Sequence, residues 1–299
     1  MSLLSRLFLG VTSLWAVNAQ AQEVEPTDYQ TYTYFDSSRV KLALDLFLPE
    51  LETDTLTPLV IFLHGGGFAG GERSHGHDLG RYLRTRGVAT ASISYTLYMQ
   101  GKDFSCGGVT SEKVKAIQLA ASELWQATAF ILNRTEEWSI DSAQIFIAGS
   151  SAGGEAVLHA AFWDRSIMQY YHQALPPDFR YAGVISGAGA IMDINLIDTE
   201  SQIPVFAFHG DEDPLVPYRT AAHHYCPPNS TGWLMFFGSE TICRQLQALD
   251  GIAQLVTFRG GGHEYAGYFF NREQHRIYSF IERVLSGERF VEFRVGKNY

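Results

Sequence analysis

The stretch FIAGSSAGGE, residues 146–155, decides how this chain is read. An apolar run, QIFIAG over 144–149, leads without a break into Gly149-Ser150-Ser151-Ala152-Gly153, and a helix is expected from Ala152. A serine between two glycines at a strand-to-helix turn is the pattern of a nucleophile elbow. The turn is sharp and strained, it exposes the central hydroxyl, and any side chain at the flanking positions would clash. That geometry selects Ser151 as the candidate nucleophile and leaves Ser150 to make a local hydrogen bond at the turn. With 28 glycines in the chain the pattern also arises by chance, and a serine there can be a plain helix cap. The surrounding elements have to decide.

They alternate. RVKLALDLFLPE (39–50) places Val40, Leu42, Leu44, Leu46 and Leu48 on one side, the period of a strand with one buried face. PLVIFL (58–63) and VATASISYTL (88–97) are denser apolar runs suited to strands covered on both faces. Between them HDLGRYLRTRG reads as a helix stopped by Gly87, and apolar positions at helical spacing from Lys113 to Leu132 predict another. Beyond Ala152 come strands YAGVIS, PVFAFHG and AQLVTF, a helix over 239–249, and a last helix with Ile277, Phe280, Ile281 and Val284 on one face. This order implies an α/β fold, a mostly parallel central sheet with helices on both faces.

In such a sheet, functional groups gather in the loops at the carboxyl ends of the strands. Ser151, Asp213 and His263 all fall there, in the chain order Ser, Asp, His. In FRGGGHEYAGY, Gly260 to Gly262 let the loop bend so that His263 points back at Ser151. Asp213 stands far enough past its strand to reach the histidine, while Asp211 and Glu212 belong to the turn; Asp211 is the alternative, followed by Glu264 and Glu155. FLHGGGF sets His64-Gly65-Gly66-Gly67 at the end of a buried strand, where the amides of Gly66 and Gly67, with that of Ala152, can form an oxyanion hole. His64 reads as a residue that orients the loop.

On HGGGF, GSSAGG, the HG-x-x-D-x-x-VP run from His209 to Pro217, and GGHE, residues from about 40 to 285 resemble the α/β-hydrolase esterase/lipase superfamily. Within it they are similar to hormone-sensitive-lipase-like and feruloyl-esterase-like carboxylesterases. Such relatives commonly carry Asp at position 150 and often Asn at 155, where this chain has Ser150 and Glu155. The resemblance implies a serine carboxylic-ester hydrolase acting through an acyl-enzyme on a small-molecule or polymeric ester. No metal or organic cofactor is implied. A peptidase of the prolyl-oligopeptidase type shares the triad but usually has a large extra domain, for which this chain lacks length; a ligand-binding member without catalysis is the other alternative.

A chain of 299 residues, 46% hydrophobic and with a net charge of −10, can bury a full core and has no basic patch for nucleic acid or anionic lipid. Residues 1–21, with Arg6, an apolar stretch from Leu7 to Val17 and Ala19-Gln20-Ala21, read as a signal peptide. The apolar run is too short for a stable membrane anchor. An exported, periplasmic or secreted single catalytic domain over 22–299 is therefore expected, of unknown oligomeric state. Export suits one disulfide among Cys106, Cys226 and Cys243. Cys226 with Cys243 closes the shortest loop, although Cys106 lies in another loop able to fold over the same face. The pairs His75/His77 and His223/His224 are read as loop residues rather than metal ligands. The loops 97–112 and 223–240 hold Tyr98, Phe104, Tyr225, Trp233, Phe236 and Phe237, which either shape a substrate pocket or anchor the loops.

Overall fold

The computed structural model describes residues 28–49, 55–171 and 175–297, so the signal-peptide expectation for 1–21 lies outside the described residues. Among the described residues there are twelve strands: β1 (Gln30–Asp36), β2 (Lys41–Phe47), β3 (Thr57–Leu63), β4 (Ala89–Ile93), β5 (Ile140–Ser150), β6 (Gly183–Gly187), β7 (Ala190–Ile191), β8 (Val205–Gly210), β9 (Thr220–Ala222), β10 (Met235–Gly238), β11 (Ala253–Phe258) and β12 (Val291–Val295). The α-helices are α1 (His77–Arg84), α2 (Thr110–Leu132), α3 (Ala152–Phe162), α4 (Arg165–Met168), α5 (Ser239–Ala248), α6 (Tyr268–Asn271) and α7 (Gln274–Leu285). Nine strands form one sheet in the order β1-β2-β4-β3-β5-β6-β8-β11-β12; β7, β10 and β9 form a separate small sheet. The pairings of β1 with β2 and of β2 with β4 are antiparallel, and from β4 to β12 every neighbour is parallel.

The expected mostly parallel sheet is thus present, and its central strands are buried on both faces. In β3, Leu59, Ile61 and Leu63 enter one core, while Val60 and Phe62 enter a second with Ile277 and Phe280 of α7. Continuous apolar runs such as PLVIFL exist because both pleat faces need covering. β2 departs from the one-faced reading: beside Leu42, Leu44 and Leu46 it buries Asp45 and Phe47 on its other face. The cause is α1. A Cβ at Gly80 would stand 2.6 Å from the Phe47 ring, and His77 Nε2 lies 2.9 Å from Asp45 Oδ2.

Chain order creates the crevice. From β3 the chain passes through α1 to β4 on one side, then through α2 to β5 on the other, so the loops leaving β3 and β5 diverge at a topological switch point. Leu63 is in register with Gly149, which brings the glycine loop and Ser151 side by side. The elbow has no room for side chains: a Cβ at Gly149 would lie 2.3 Å from the Gly153 oxygen, and one at Gly153 would lie 2.3 Å from the Leu63 oxygen.

Gly153→Ala is therefore expected to destabilise the protein by about 3 kcal/mol, since the obstacle is backbone and cannot rotate away. Gly70→Ala, whose Cβ meets nothing within 4 Å, serves as the control. Thermal unfolding should show Tm lowered by roughly 6 °C for Gly153→Ala and little changed for Gly70→Ala; equal Tm values for the two would contradict the packing described.

Candidate active site

Ser151 stands between β5 and α3 with φ 55° and ψ −122°, a conformation costly for a residue with a Cβ. Its amide donates to Gly187 O at 2.7 Å and its carbonyl accepts from Glu155 N at 2.9 Å. The hydroxyl oxygen lies 2.7 Å from His263 Nε2. His263 Nδ1 lies 2.7 Å from Asp213 Oδ2, so the three candidates that follow β5, β8 and β11 meet as one linear array.

Asp213 is buried, with only 1% of its surface exposed. Burial alone would raise its pKa, but hydrogen bonds from His209 and His263 outweigh it and hold the carboxyl well below the usual carboxylate range. Oδ1 also accepts the amides of Leu215 at 2.8 Å and Val216 at 3.0 Å. An ionised carboxylate only accepts, so His263 must carry its proton on Nδ1. That leaves the Nε2 lone pair facing Ser151, whose hydroxyl donates to it.

Two of the alternative acids, Asp211 and Glu264, are occupied elsewhere. Asp211 Oδ1 accepts from Gly260 N at 2.6 Å, pinning the glycine run before His263 from within the turn. Glu264 Oε1 accepts from Gly262 N at 2.9 Å on the surface. Ser150 departs from its expectation: it remains in β5, paired with Gly187, and its hydroxyl makes no hydrogen bond to another described residue. Position 150 still belongs to the ladder, before the turn begins.

A second imidazole on Asp213 went unassigned in the sequence. His209 Nε2 is 3.2 Å from Asp213 Oδ2 and 3.1 Å from Val216 O, two acceptors that require a proton on that nitrogen. Its Nδ1 is 2.8 Å from Ser239 Oγ. The signal lay in the His-Gly-x-x-Asp spacing, in which the turn after β8 folds Asp213 back over the strand's end.

Gly66 and Gly67 adopt φ 112° and 61°, and Gly66 O accepts the amides of Ala69 and Gly70, both at 3.0 Å. The amides of Gly66 and Gly67 make no hydrogen bond to another described residue. Ala152 opens α3, whose first-turn N–H groups and positive dipole end lie beside Ser151. His64 stacks on Tyr95 with ring centroids 4.4 Å apart, donates from Nδ1 to Gly65 O at 2.7 Å, and accepts the Tyr95 hydroxyl on its carbonyl at 2.8 Å. Burial lowers its pKa. These contacts suit the expected loop-orienting part.

The glycine loop, Ser151, Ala152 and His263 line a cavity of about 500 Å³. Its outer wall comes from the loops 97–112 and 223–240, joined by a disulfide between Cys106 and Cys226. Gly232 N also donates to Cys106 O at 3.0 Å, and Lys113 Nζ donates to Gly232 O at 2.8 Å. The expected Cys226–Cys243 pair is therefore corrected. Cys243 is free and buried in α5, and the longer closure prevails because the two loops meet over the site. Of the loop aromatics, Phe104 lines the cavity, Phe236 is in the core and Tyr225 is exposed. His75 lines the cavity, His77 pairs with Asp45 and His223 faces Glu155. Among the described residues no cluster of three or more His, Cys, Asp or Glu could hold a metal ion, and no helix is long and apolar enough to cross a membrane.

A protein-family model described as BD-FAE matches residues 44–202, just over half of the chain. The chain belongs to the BD-FAE family. The BD-FAE match takes in the glycine loop and the elbow and ends before Asp213 and His263. The chain is 28% identical to the probable isoprenylcysteine alpha-carbonyl methylesterase ICMEL2 of Arabidopsis thaliana, over 85% of this chain and 64% of that protein. It is 31% identical to the probable isoprenylcysteine alpha-carbonyl methylesterase ICMEL1 of Oryza sativa subsp. japonica, over 44% of this chain and 30% of that protein. It thus spans less than two thirds of the length of these relatives. Among solved structures, the apo form of Thermogutta terrifontis esterase 2 matches with a TM-score of 0.60 at 15% identity, over 87% of this chain and 94% of that one. The BD-FAE member described here has the α/β-hydrolase fold. The Thermogutta protein has also been solved with butyrate bound and phosphorylated by paraoxon.

Proposed function

We propose that this protein is a serine carboxylic-ester hydrolase, with Ser151 as nucleophile, His263 as general base and then acid, and Asp213 holding the imidazole. The observation that carries the reading is the 2.7 Å contact from Ser151 Oγ to His263 Nε2. Ser151 Oγ bonds to the ester carbonyl carbon while its proton passes to Nε2. The bond from that carbon to the alcohol oxygen breaks, and the alcohol leaves with the proton. Water then attacks the acyl-enzyme by the same route, releasing the acid and restoring the serine. The amides of Gly66, Gly67 and Ala152 face the developing oxyanion, where preorganised donors have the largest effect on rate.

The close array of Ser151, His263 and Asp213 supports catalysis over ligand binding alone. The relatives' names, methylesterases among them, support an ester over a peptide and a small leaving alcohol. We also propose export after cleavage near Ala21, supported by the Cys106–Cys226 disulfide, a bond that persists in oxidising compartments.

Ser151→Ala is expected to lower kcat on a short nitrophenyl ester by roughly 10⁴-fold or more, and Asp213→Asn by about 10⁴-fold through the wrong imidazole tautomer. Asp211→Asn, which touches only the loop, is expected to cost far less. Steady-state kinetics of the three variants decides the assignment; a crippled Asp211→Asn beside an active Asp213→Asn would contradict it.

For export, N-terminal sequencing of the native protein should begin at Gln22. A chain that starts at Met1 and is retained inside the cell would contradict that proposal.

A further inference from the structure

One turn past Ala152, α3 presents a side chain for which ester cleavage has no use. Glu155 is 1% exposed, yet it lines the cavity beside Ser151, as does His223. His223 Nε2 comes within 3.1 Å of Glu155 Oε1, an ion-pair distance, without making a hydrogen bond to it. Both carboxylate oxygens of Glu155 and Nδ1 of His223 have no hydrogen-bond partner among the described residues. A buried carboxylate without donors is costly, and the cost is recovered when something donates to it.

The pair is held in place from both sides. Glu155 is fixed by α3, its amide bonded to Ser151 O at 2.9 Å. His223 donates its amide to Leu234 O at 2.8 Å, and its ring packs against Phe236 and Phe104 at centroid distances of 4.9 and 5.1 Å. Such a rigid pair offers acceptors at a set place. The charge balance selects among possible donors: Lys113, also buried, holds its ammonium 5.5 Å from the centre of the Phe104 ring that packs on His223 and donates to Gly232 O. With one cation already in the cluster, a neutral hydroxyl fits better than an ammonium.

Resting on the esterase reading, we propose that Glu155 and His223 form a hydroxyl-recognising subsite of the Ser151 cavity, so that the preferred substrates are esters carrying a free hydroxyl. Glu155 lies four positions after Ser151, a rise of about 6 Å along α3, so the hydroxyl it would bind belongs several bonds from the reacting carbonyl. Neutral aliphatic hydroxyl esters reach this distance from either the acyl or the alcohol half.

The test uses two isosteric pairs of esters, methyl 6-hydroxyhexanoate against methyl heptanoate and 4-hydroxybutyl acetate against pentyl acetate, followed by pH-stat. The wild-type protein is expected to favour the hydroxylated member of at least one pair by tenfold or more in kcat/KM. In Glu155→Leu that ratio should fall to about one, and His223→Phe, which leaves α3 untouched, should lower it in the same direction. Equal wild-type rates within both pairs, as a pair bridged only by internal water predicts, would overturn the subsite and leave the hydrolase reading standing. Failure of the wild-type protein to cleave any of the four would overturn that reading instead, and the subsite with it. A preference that survives in Glu155→Leu protein still labelled by a fluorophosphonate would place its origin elsewhere and also overturn the proposal.

Discussion

The site depends on one backbone constraint, a serine held at φ 55° where β5 turns into α3. A non-glycine residue there costs on the order of 1–3 kcal/mol and persists only if its surroundings over-determine it. They do so by contact: Gly149 and Gly153 let the strand, the helix and the end of β3 approach to distances that admit no side chain. Exposure of the Ser151 hydroxyl, the proximity of the β3 glycine loop and the direction of the α3 dipole all follow from that closeness.

A second constraint is the ionisation of Asp213. Two backbone amides and two imidazoles converge on one buried carboxylate, and their hydrogen bonds keep it charged despite burial. Its charge dictates the tautomer of His263, which in turn orients the Ser151 proton. His209 and Asp211 act one step further out, His209 on the carboxylate and Asp211 on the loop that delivers the histidine. The acid that looked dispensable in the sequence therefore has a structural part of its own.

The elbow, the glycine loop, Asp213 and His263 were legible because each sits directly after an apolar run, and the fold brings strand ends together whatever the loops do. Strands with weak apolar periods were not legible. Gln30–Asp36 buries only Tyr34, and β7, β9 and β10 are two to four residues long, too short to show alternation. The cysteine pairing followed loop closure across 120 residues rather than the shortest span. Glu155 and His223 were invisible as a pair because one lies on a helix and the other on a distant loop. In the sequence Glu155 stood only as a fallback acid and His223 only as a loop histidine.

The central claim, that the strained turn makes Ser151 and no neighbouring serine the nucleophile, is tested most directly by reacting the intact protein with a fluorophosphonate and locating the adduct by peptide mass spectrometry. The account predicts a single stoichiometric adduct on Ser151, whose hydroxyl alone faces the His263 lone pair. An adduct on Ser150, or no adduct on the folded protein, would contradict it.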